Sequence, residues 1–258
     1  MSILGDYHTH TVFSHGHGSI EDNVKAAIKR GLKEIAITDH GFWHGSYGVR
    51  RMDLPTMIDE VKILRRRYPH INIYLGIEAN LVDTGGRVDI EDGDYEWLDI
   101  LVCGYHKNTQ TTSVKEFFDF RLANLLGAGT TKNTAKQIVR NTDAYIKMLE
   151  RYKVDIISHP NYGIVTDVKA IAKAAAHYGT FMELNGKKVS MTDAEIMSLL
   201  DTGVTLIVDS DAHSADRVGE FSVPLSFVDR LGIPHDRIAN YGKVPIFRRQ
   251  RERNNRRG

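Results

Sequence analysis

Seven of the chain's twelve histidines, with one glutamate and one aspartate, stand at or just past the ends of short β-branched runs. They are His8, His10, His15, His40, Glu78, His106, His159, Asp211 and His213. In Asp6-Tyr7-His8-Thr9-His10 the two imidazoles are two residues apart, and the alternation of an extended segment sends both to one face. Asp211-Ala212-His213 repeats that logic. Imidazole and carboxylate without thiolate suit zinc, manganese or iron. In Thr38-Asp39-His40, Asp39 is positioned to fix the tautomer of His40 from behind. A lone histidine is more often a surface or satisfied core residue, and His70, His177 and His235 are read that way. The recurrence after strand upon strand points instead to a metalloenzyme.

The elements that must position these side chains are legible as alternating runs. Strands are expected at Ile3–Tyr7, Glu34–Thr38, Asn72–Ile77, Leu98–Cys103, Val154–Ser158, Thr180–Leu184 and Thr205–Val208. Helical patterns lie between them: Ser19 to Gly31 with a capping-box start, Leu54–Tyr68 with Pro55 in its first turn, Thr134–Tyr152, Val168–Tyr178 and Thr192–Thr202. Strand–helix alternation demands a parallel sheet with right-handed crossovers, and seven units suggest closure into a barrel. Active sites of such barrels form at the C-terminal ends of the strands, where the candidate ligands fall. The segment Lys107–Asn133 reads as an insertion over the barrel mouth, with one helix over Val114–Leu126.

Bulk properties exclude little. The 258 residues are 41% hydrophobic and 26% charged, as in a soluble globular protein. No apolar run approaches the length of about 18 residues that a membrane span requires. Met1 to Asp6 lacks a basic region followed by an apolar stretch, so no signal peptide is expected. The single cysteine, Cys103, excludes an internal disulfide and fits a reducing compartment, the cytoplasm by default. A net charge of +1 conceals an asymmetry: residues 248–258 carry six Arg and one Glu, leaving −4 on the other 247. The expectation is a domain over residues 1–242 and a basic, disordered tail over 243–258. As a salt-sensitive arm, that tail would attract nucleic-acid phosphates without reading sequence.

The candidate stretches resemble the PHP family, named for polymerase and histidinol phosphatase. The resemblance rests on DYHTH at 6–10, SHG at 14–16, TDH at 38–40, GIE at 76–78, GYH at 104–106, SHPN at 158–161 and SDAH at 210–213, in the family's order. It implies a distorted seven-stranded (β/α)7 TIM-like barrel and two or three divalent ions, zinc, manganese or iron. Carried over by position, it implies that His8, His10, His15, His40, Glu78, His106, His159, Asp211 and His213 are the ligands. His15 aligns only across a one-residue gap, and His17 is its rival. The implied grouping puts His8, His10 and Asp211 on one ion, His106 and His159 on another, His15, His40 and His213 on the third, with Glu78 bridging. A metal-held hydroxide would then attack phosphorus in line with the leaving alkoxide.

Around that centre, Asp39 and Arg217 are the candidate catalytic residues beyond the ligands. Arg50, Arg51, His44 and Lys187 are the candidate substrate contacts, offering guanidinium, imidazole and ammonium donors to a phosphate. Phe42, Trp43 and Tyr47 in the same loop could stack on a ring. The leading expectation is hydrolysis of a small phosphomonoester of the histidinol phosphate kind. A phosphodiesterase or exonuclease acting on oligonucleotides or nucleotide bisphosphates is the second enzyme reading. A non-catalytic binding module stapled by its metals is the alternative of another class. The sequence carries no signal for oligomeric state.

Overall fold

The computed structural model describes residues 2–127 and 135–248. Seven parallel strands follow one another in sequence order: β1 (Gly5–Asp6), β2 (Glu34–Ile37), β3 (Asn72–Asn80), β4 (Ile100–Gly104), β5 (Ile156–Ile157), β6 (Phe181–Asn185) and β7 (Leu206–Asp209). Helices α1 (Ile20–Lys29), α2 (Leu54–Arg67), α3 (Val114–Glu116), α4 (Ala123–Gly127), α5 (Ala135–Arg151), α6 (Val168–Tyr178), α7 (Asp193–Leu199) and α8 (Ser222–Leu231) come between or after them. The result is the expected nearly closed, distorted (β/α)7 barrel. No described helix is long and apolar enough to cross a membrane.

Local chemistry sets the element boundaries. Ser19 caps α1 reciprocally with Asp22, and Thr192 caps α7 with Glu195, each pair satisfying two otherwise orphaned N–H groups. Gly179, at φ +68°, ends α6 in the left-handed conformation that costs glycine nothing. The helical run of the insertion appears where expected, but its middle, Phe117–Leu122, is a π-helix. Helix α8 was not anticipated; Pro224 sits in its first turn, where a missing N–H is harmless.

Two apolar layers follow. The larger packs the outer faces of the strands against the helices and includes Ile35, Leu75, Leu101 and Leu184. The smaller fills the barrel: Tyr7, Ala36, Ile100, Val102, Ile156, Ile207, Ala239 and Phe247, with Tyr74 and Phe181 packed against them. The floor is aromatic. The ring of Phe247 meets Tyr7 edge-on at 4.8 Å and lies 6.0 Å from both Tyr74 and Phe181. Packed structure therefore continues through Arg248, whose backbone N–H donates to Asp155 at 2.7 Å. Burial continues past the expected domain end at 242: Pro245 and Phe247 are buried while Val244 and Ile246 are exposed, an inward-facing pair that the arginine-rich composition obscured. The remainder of the basic run, 249–258, lies outside the described residues.

Closure between β7 and β1 relies on side chains in place of a regular ladder. Asp209 accepts from the Tyr7 N–H at 2.7 Å, and Asp6 accepts from the Ser210 N–H at 3.0 Å. Asn240 inserts between the strands, donating to Gly5 O and Val208 O and accepting from the Val208 N–H. These groups stand in for the ladder hydrogen bonds that buried backbone would otherwise lack. Above them a parallel bridge pairs Thr9 with Ala212, drawing the His8–His10 segment against Asp211 and His213.

Candidate active site

The candidate ligands converge where the strands end. His8 and His10 follow β1, His40 follows β2, and His106, His159 and Asp211 each lie two residues past β4, β5 and β7. Glu78 stands inside β3, which runs three residues further than expected, and an isolated parallel bridge pairs it with His40. His159 and Asp211 adopt φ of +30° and +50°. Non-glycine residues there cost about 1–3 kcal/mol each, and such strain gathers at functional sites.

Glu78 is the hub. Its Oε1 lies 2.8 Å from His159 Nε2, 3.2 Å from His8 Nε2 and 3.4 Å from His106 Nε2. Its Oε2 lies 2.8 Å from His40 Nδ1 and 3.6 Å from His10 Nε2. Asp211 forms a second focus, with Oδ1 3.3 Å from His10 Nε2, 3.4 Å from His213 Nδ1 and 3.8 Å from His8 Nε2. Three triads place one potential ligand atom from each residue within 4.8 Å of the others: His8 with His10 and Asp211, His10 with His40 and His213, and His40 with Glu78 and His106. The first matches the expected grouping. In the other two, His40 stands with Glu78 and His106 and with His10 and His213; of the group His15, His40 and His213 expected on one ion, His10 takes the place of His15, whose ring lies 4.8 Å from His40 and 4.1 Å from His213.

Several of these atoms have nothing else to do. His8 Nε2, both ring nitrogens of His10, His15 Nδ1 and His159 Nδ1 are buried without a hydrogen-bond partner, and His40 Nδ1 and Glu78 Oε2 face each other at 2.8 Å without the geometry of a hydrogen bond. Each such atom costs about 1–3 kcal/mol if nothing satisfies it. A cluster of nitrogen and oxygen atoms left in this way fits divalent cations of the zinc, manganese or iron type.

The electrostatics agree. Burial alone would raise the carboxyls, but His106, His8 and His40 hold Glu78 well below its ordinary value, and His8 and His10 do the same for Asp211. Burial, together with neighbouring imidazoles, drives His10 well below its ordinary value. It brings His15 down to about 4, where His213 and Lys187 add to the effect. His40 falls to about 3 through burial, with Glu78 opposing. Both carboxylates are thus ionised near neutral pH while these three rings are neutral, the forms that bind metal. His8 and His159 go the other way: burial opposes their charge, yet Glu78 and Glu183 raise both.

A supporting layer that sequence reading missed fixes the rings. Glu183 Oε1 lies 2.7 Å from His8 Nδ1, and its Oε2 accepts from the His159 N–H. Asn80 Oδ1 lies 2.7 Å from His106 Nδ1, and Asp89 in turn accepts from the Asn80 backbone and side chain. Asn185 donates to Glu183 and Asp211. The available signal was a carboxylate inside a strand: Glu183 in Phe-Met-Glu-Leu-Asn is fully buried, and burying a charge demands a partner.

A cavity of about 320 Å³ opens over the centre, lined by His15, His40, His44, Tyr47, Glu78, His106, His159, Tyr162, Asn185, Lys187, Lys188, Asp211 and His213. His15 stacks on His40 at 4.8 Å between ring centroids. Its rival His17 is exposed, and only its backbone pairs, with Ser214 and His213 O. Lys187 Nζ reaches 3.6 Å from Asp211 and 3.3 Å from His213 Nε2. His44 stacks on His40 at 4.9 Å and is lowered to about 4 by burial and His106. Its Nδ1 accepts from the Tyr47 N–H, so the neutral ring carries its proton on Nε2 as a donor.

Four expected contacts are placed elsewhere. Asp39 does not touch the His40 ring; buried, it accepts from the Thr11 N–H, the Thr11 hydroxyl and the Ser14 hydroxyl, pinning the loop that carries His15. Arg217 ends the exposed turn Ala215–Arg217, outside the cavity lining. Arg50 is held by Asp53, and Arg51 by Asp94 while it covers the Phe42 ring. Acidic partners on the protein itself occupy both guanidinium groups.

The description that matches this sequence is that of the PHP domain, over residues 6–194. A protein of Shewanella oneidensis named "Probable phosphatase" is 33% identical, aligned over 96% of this chain and 91% of its own length. A probable phosphatase of Thermoanaerobacter pseudethanolicus is 29% identical over 98% of this chain and 97% of its own. Among solved structures, histidinol phosphate phosphatase from Lactococcus lactis, complexed with zinc, L-histidinol and phosphate, has a TM-score of 0.61 at 15% identity. That likeness covers 91% of this chain and 95% of the other, and it concerns the fold.

Proposed function

The chain belongs to the PHP domain family, and we propose that it is a metal-dependent phosphohydrolase cleaving a small phosphomonoester. The observation that carries this reading is the cluster of buried ring nitrogens without hydrogen bonds around Glu78 and Asp211, with His15, His40 and His159 of that cluster lining one cavity beside both carboxylates. Relatives named probable phosphatase over nearly the whole chain support the same chemistry. His8, His10, His15, His40, Glu78, His106, His159, Asp211 and His213 would hold two or three ions of zinc, manganese or iron. Such ions, when bound, supply Lewis-acid charge and lower the pKa of water to about 7.

The chain's own residues have separable tasks. The ligand set contributes only two negative charges, so two or three divalent ions leave the cavity at about +2 to +4, which selects a dianionic phosphoryl group. Lys187, at the rim beside Asp211 and His213, is placed to grip a non-bridging oxygen. The His44 Nε2–H offers a neutral donor to the same group or to the leaving oxygen. Tyr47 and Tyr162 wall the entrance and limit water. No side-chain nucleophile is needed: Cys103 is buried in β4, and burial raises its thiol well above the ordinary value. The cytoplasmic setting expected from the sequence stands as part of this proposal.

The test is hydrolysis of a chromogenic aryl phosphomonoester beside its bis-aryl diester, with zinc, manganese or iron, by wild type and His40→Ala. Monoester turnover that His40→Ala abolishes is expected. A preference for the diester would move the activity to phosphodiesters. Metal binding without turnover of either ester would favour the non-catalytic module.

A further inference from the structure

A second cavity, of about 430 Å³, opens beside the first and shares Tyr162 and Lys188 with it. The hydrolytic scheme above makes no use of it. Its lining includes Lys107 and Lys188 and no carboxylate. Among the described residues neither ammonium has an ion-pair or hydrogen-bond partner, in contrast to Arg50, Arg51, Arg65 and Arg230. Unpaired surface lysines are ordinary. These two differ in facing one cavity from backbones that are fixed.

Lys107 is fixed at its backbone and lies against the protein along its stem. Its carbonyl accepts from Arg121 Nε at 2.9 Å, and its stem lies across Gly163, where an added Cβ would stand 3.0 Å from Lys107 Cε. Gly163 has φ +71°, a conformation that other residues rarely adopt. Lys188 is placed by Asn185, whose Oδ1 accepts from the N–H groups of both Lys187 and Lys188. One buried amide therefore sets neighbouring lysines toward different tasks: Lys187 toward the ligand centre, Lys188 toward the boundary of the two cavities. Tyr162 stands on that boundary, its ring 5.3 Å from His159. The remaining wall is neutral, with Ile164, Val165 and Val189 beside amide groups.

We propose that this cavity is a leaving-group subsite, with Lys107 and Lys188 binding a second anionic group of the substrate. Resting on the phosphomonoesterase reading, it defines a substrate class: a phosphomonoester whose alcohol portion passes over Tyr162 and ends in a phosphate or carboxylate. Two ammonium groups without competing acids favour an anion and disfavour a cationic or purely apolar leaving group.

The test is equilibrium binding to the manganese-loaded protein of straight-chain alkane monophosphonates and the corresponding bisphosphonates, over a range of chain lengths. Phosphonates resist hydrolysis, so calorimetric affinity reads the subsite independently of turnover. At the length that spans the cavities, the bisphosphonate is expected to bind about tenfold or more tightly than its monophosphonate. Lys107→Met and Lys188→Met should each shrink that ratio several-fold, with melting temperatures held near wild type. Carboxyalkyl phosphonates of the same lengths then identify the preferred anion. A ratio near one at every length, or a ratio that survives in both variants, overturns the proposal. If aryl esters are not hydrolysed but the ratio is present, the catalytic reading fails and the anion subsite stands; turnover with a flat ratio means the reverse.

Discussion

Glu183 Oε1 lies 2.7 Å from His8 Nδ1, and both side chains are fully buried. The contact fixes which nitrogen of His8 remains for a metal. With Nδ1 donating to the carboxylate, Nε2 is the free atom, and it points toward Glu78 and Asp211. The other Glu183 oxygen accepts from the His159 backbone, at a residue held at φ +30°. One carboxylate on β6 therefore orients two candidate ligands, although β6 itself contributes none.

Glu183→Gln tests that arrangement. An amide would keep one acceptor for His8 but turn a donor toward the His159 N–H and Asn185. Metal affinity is expected to fall about 10–100-fold, the usual cost of losing such an outer partner. Competition against a chromophoric chelator measures it, and an affinity within about twofold of wild type would show that Glu183 has no orienting role.

His8, His10, His40 and Asp211 were legible because strand alternation and strand ends are local properties. Glu183 and Asn80 were not, since their meaning lies in contacts made across the barrel, between His8 and Glu183 at a separation of 175 residues. Arg51 misled for the same reason: its partner Asp94 lies 43 residues on, and an unpaired guanidinium cannot be told from a paired one in sequence. The floor residue Phe247 was hidden beside a run of arginines. The barrel itself was readable because seven strand–helix units admit few alternatives.

Metal binding should depend on pH in a direction set by two rings. In the metal-free protein His8 and His159 have raised values, so near pH 7 both tend to hold protons that a metal must displace. Affinity is expected to fall as pH drops from about 8 to 6, with proton release on binding. His40 at about 3 and His15 at about 4 are already neutral there and add no slope. Titrations in buffers of different ionisation enthalpy count the protons. A flat affinity without proton release would contradict the assignment.

Asp39 has a different task from the one its sequence position suggests. Its carboxylate takes hydrogen bonds from Thr11 and Ser14, so Asp39→Ala should disturb the loop that presents His15. Leaving the buried Thr11 amide without an acceptor costs about 1–3 kcal/mol of stability. Metal content is expected to drop by the ion nearest His15, while the His8, His10 and Asp211 triad keeps its own. Elemental analysis of the purified variant decides this; full metal content with weakened binding at every site would instead implicate the His40 ring.

Phe247 offers the sharpest test of where the fold ends. Its side chain is fully buried and meets three aromatic rings at the barrel floor, so its removal leaves those rings without their shared contact. Truncating a buried phenylalanine to alanine typically costs about 3–5 kcal/mol, combining lost transfer energy with an unfilled cavity. Phe247→Ala should therefore lower stability by that amount in denaturant unfolding, and Phe247→Leu by less. Because the floor lies at the opening ends of β3 and β6, where Tyr74 and Phe181 sit, metal stoichiometry at the other end should persist in the folded variant. A loss below about 0.5 kcal/mol, within the range of an ordinary surface substitution, would mean that Phe247 does not seal the barrel and that the packed domain stops before it.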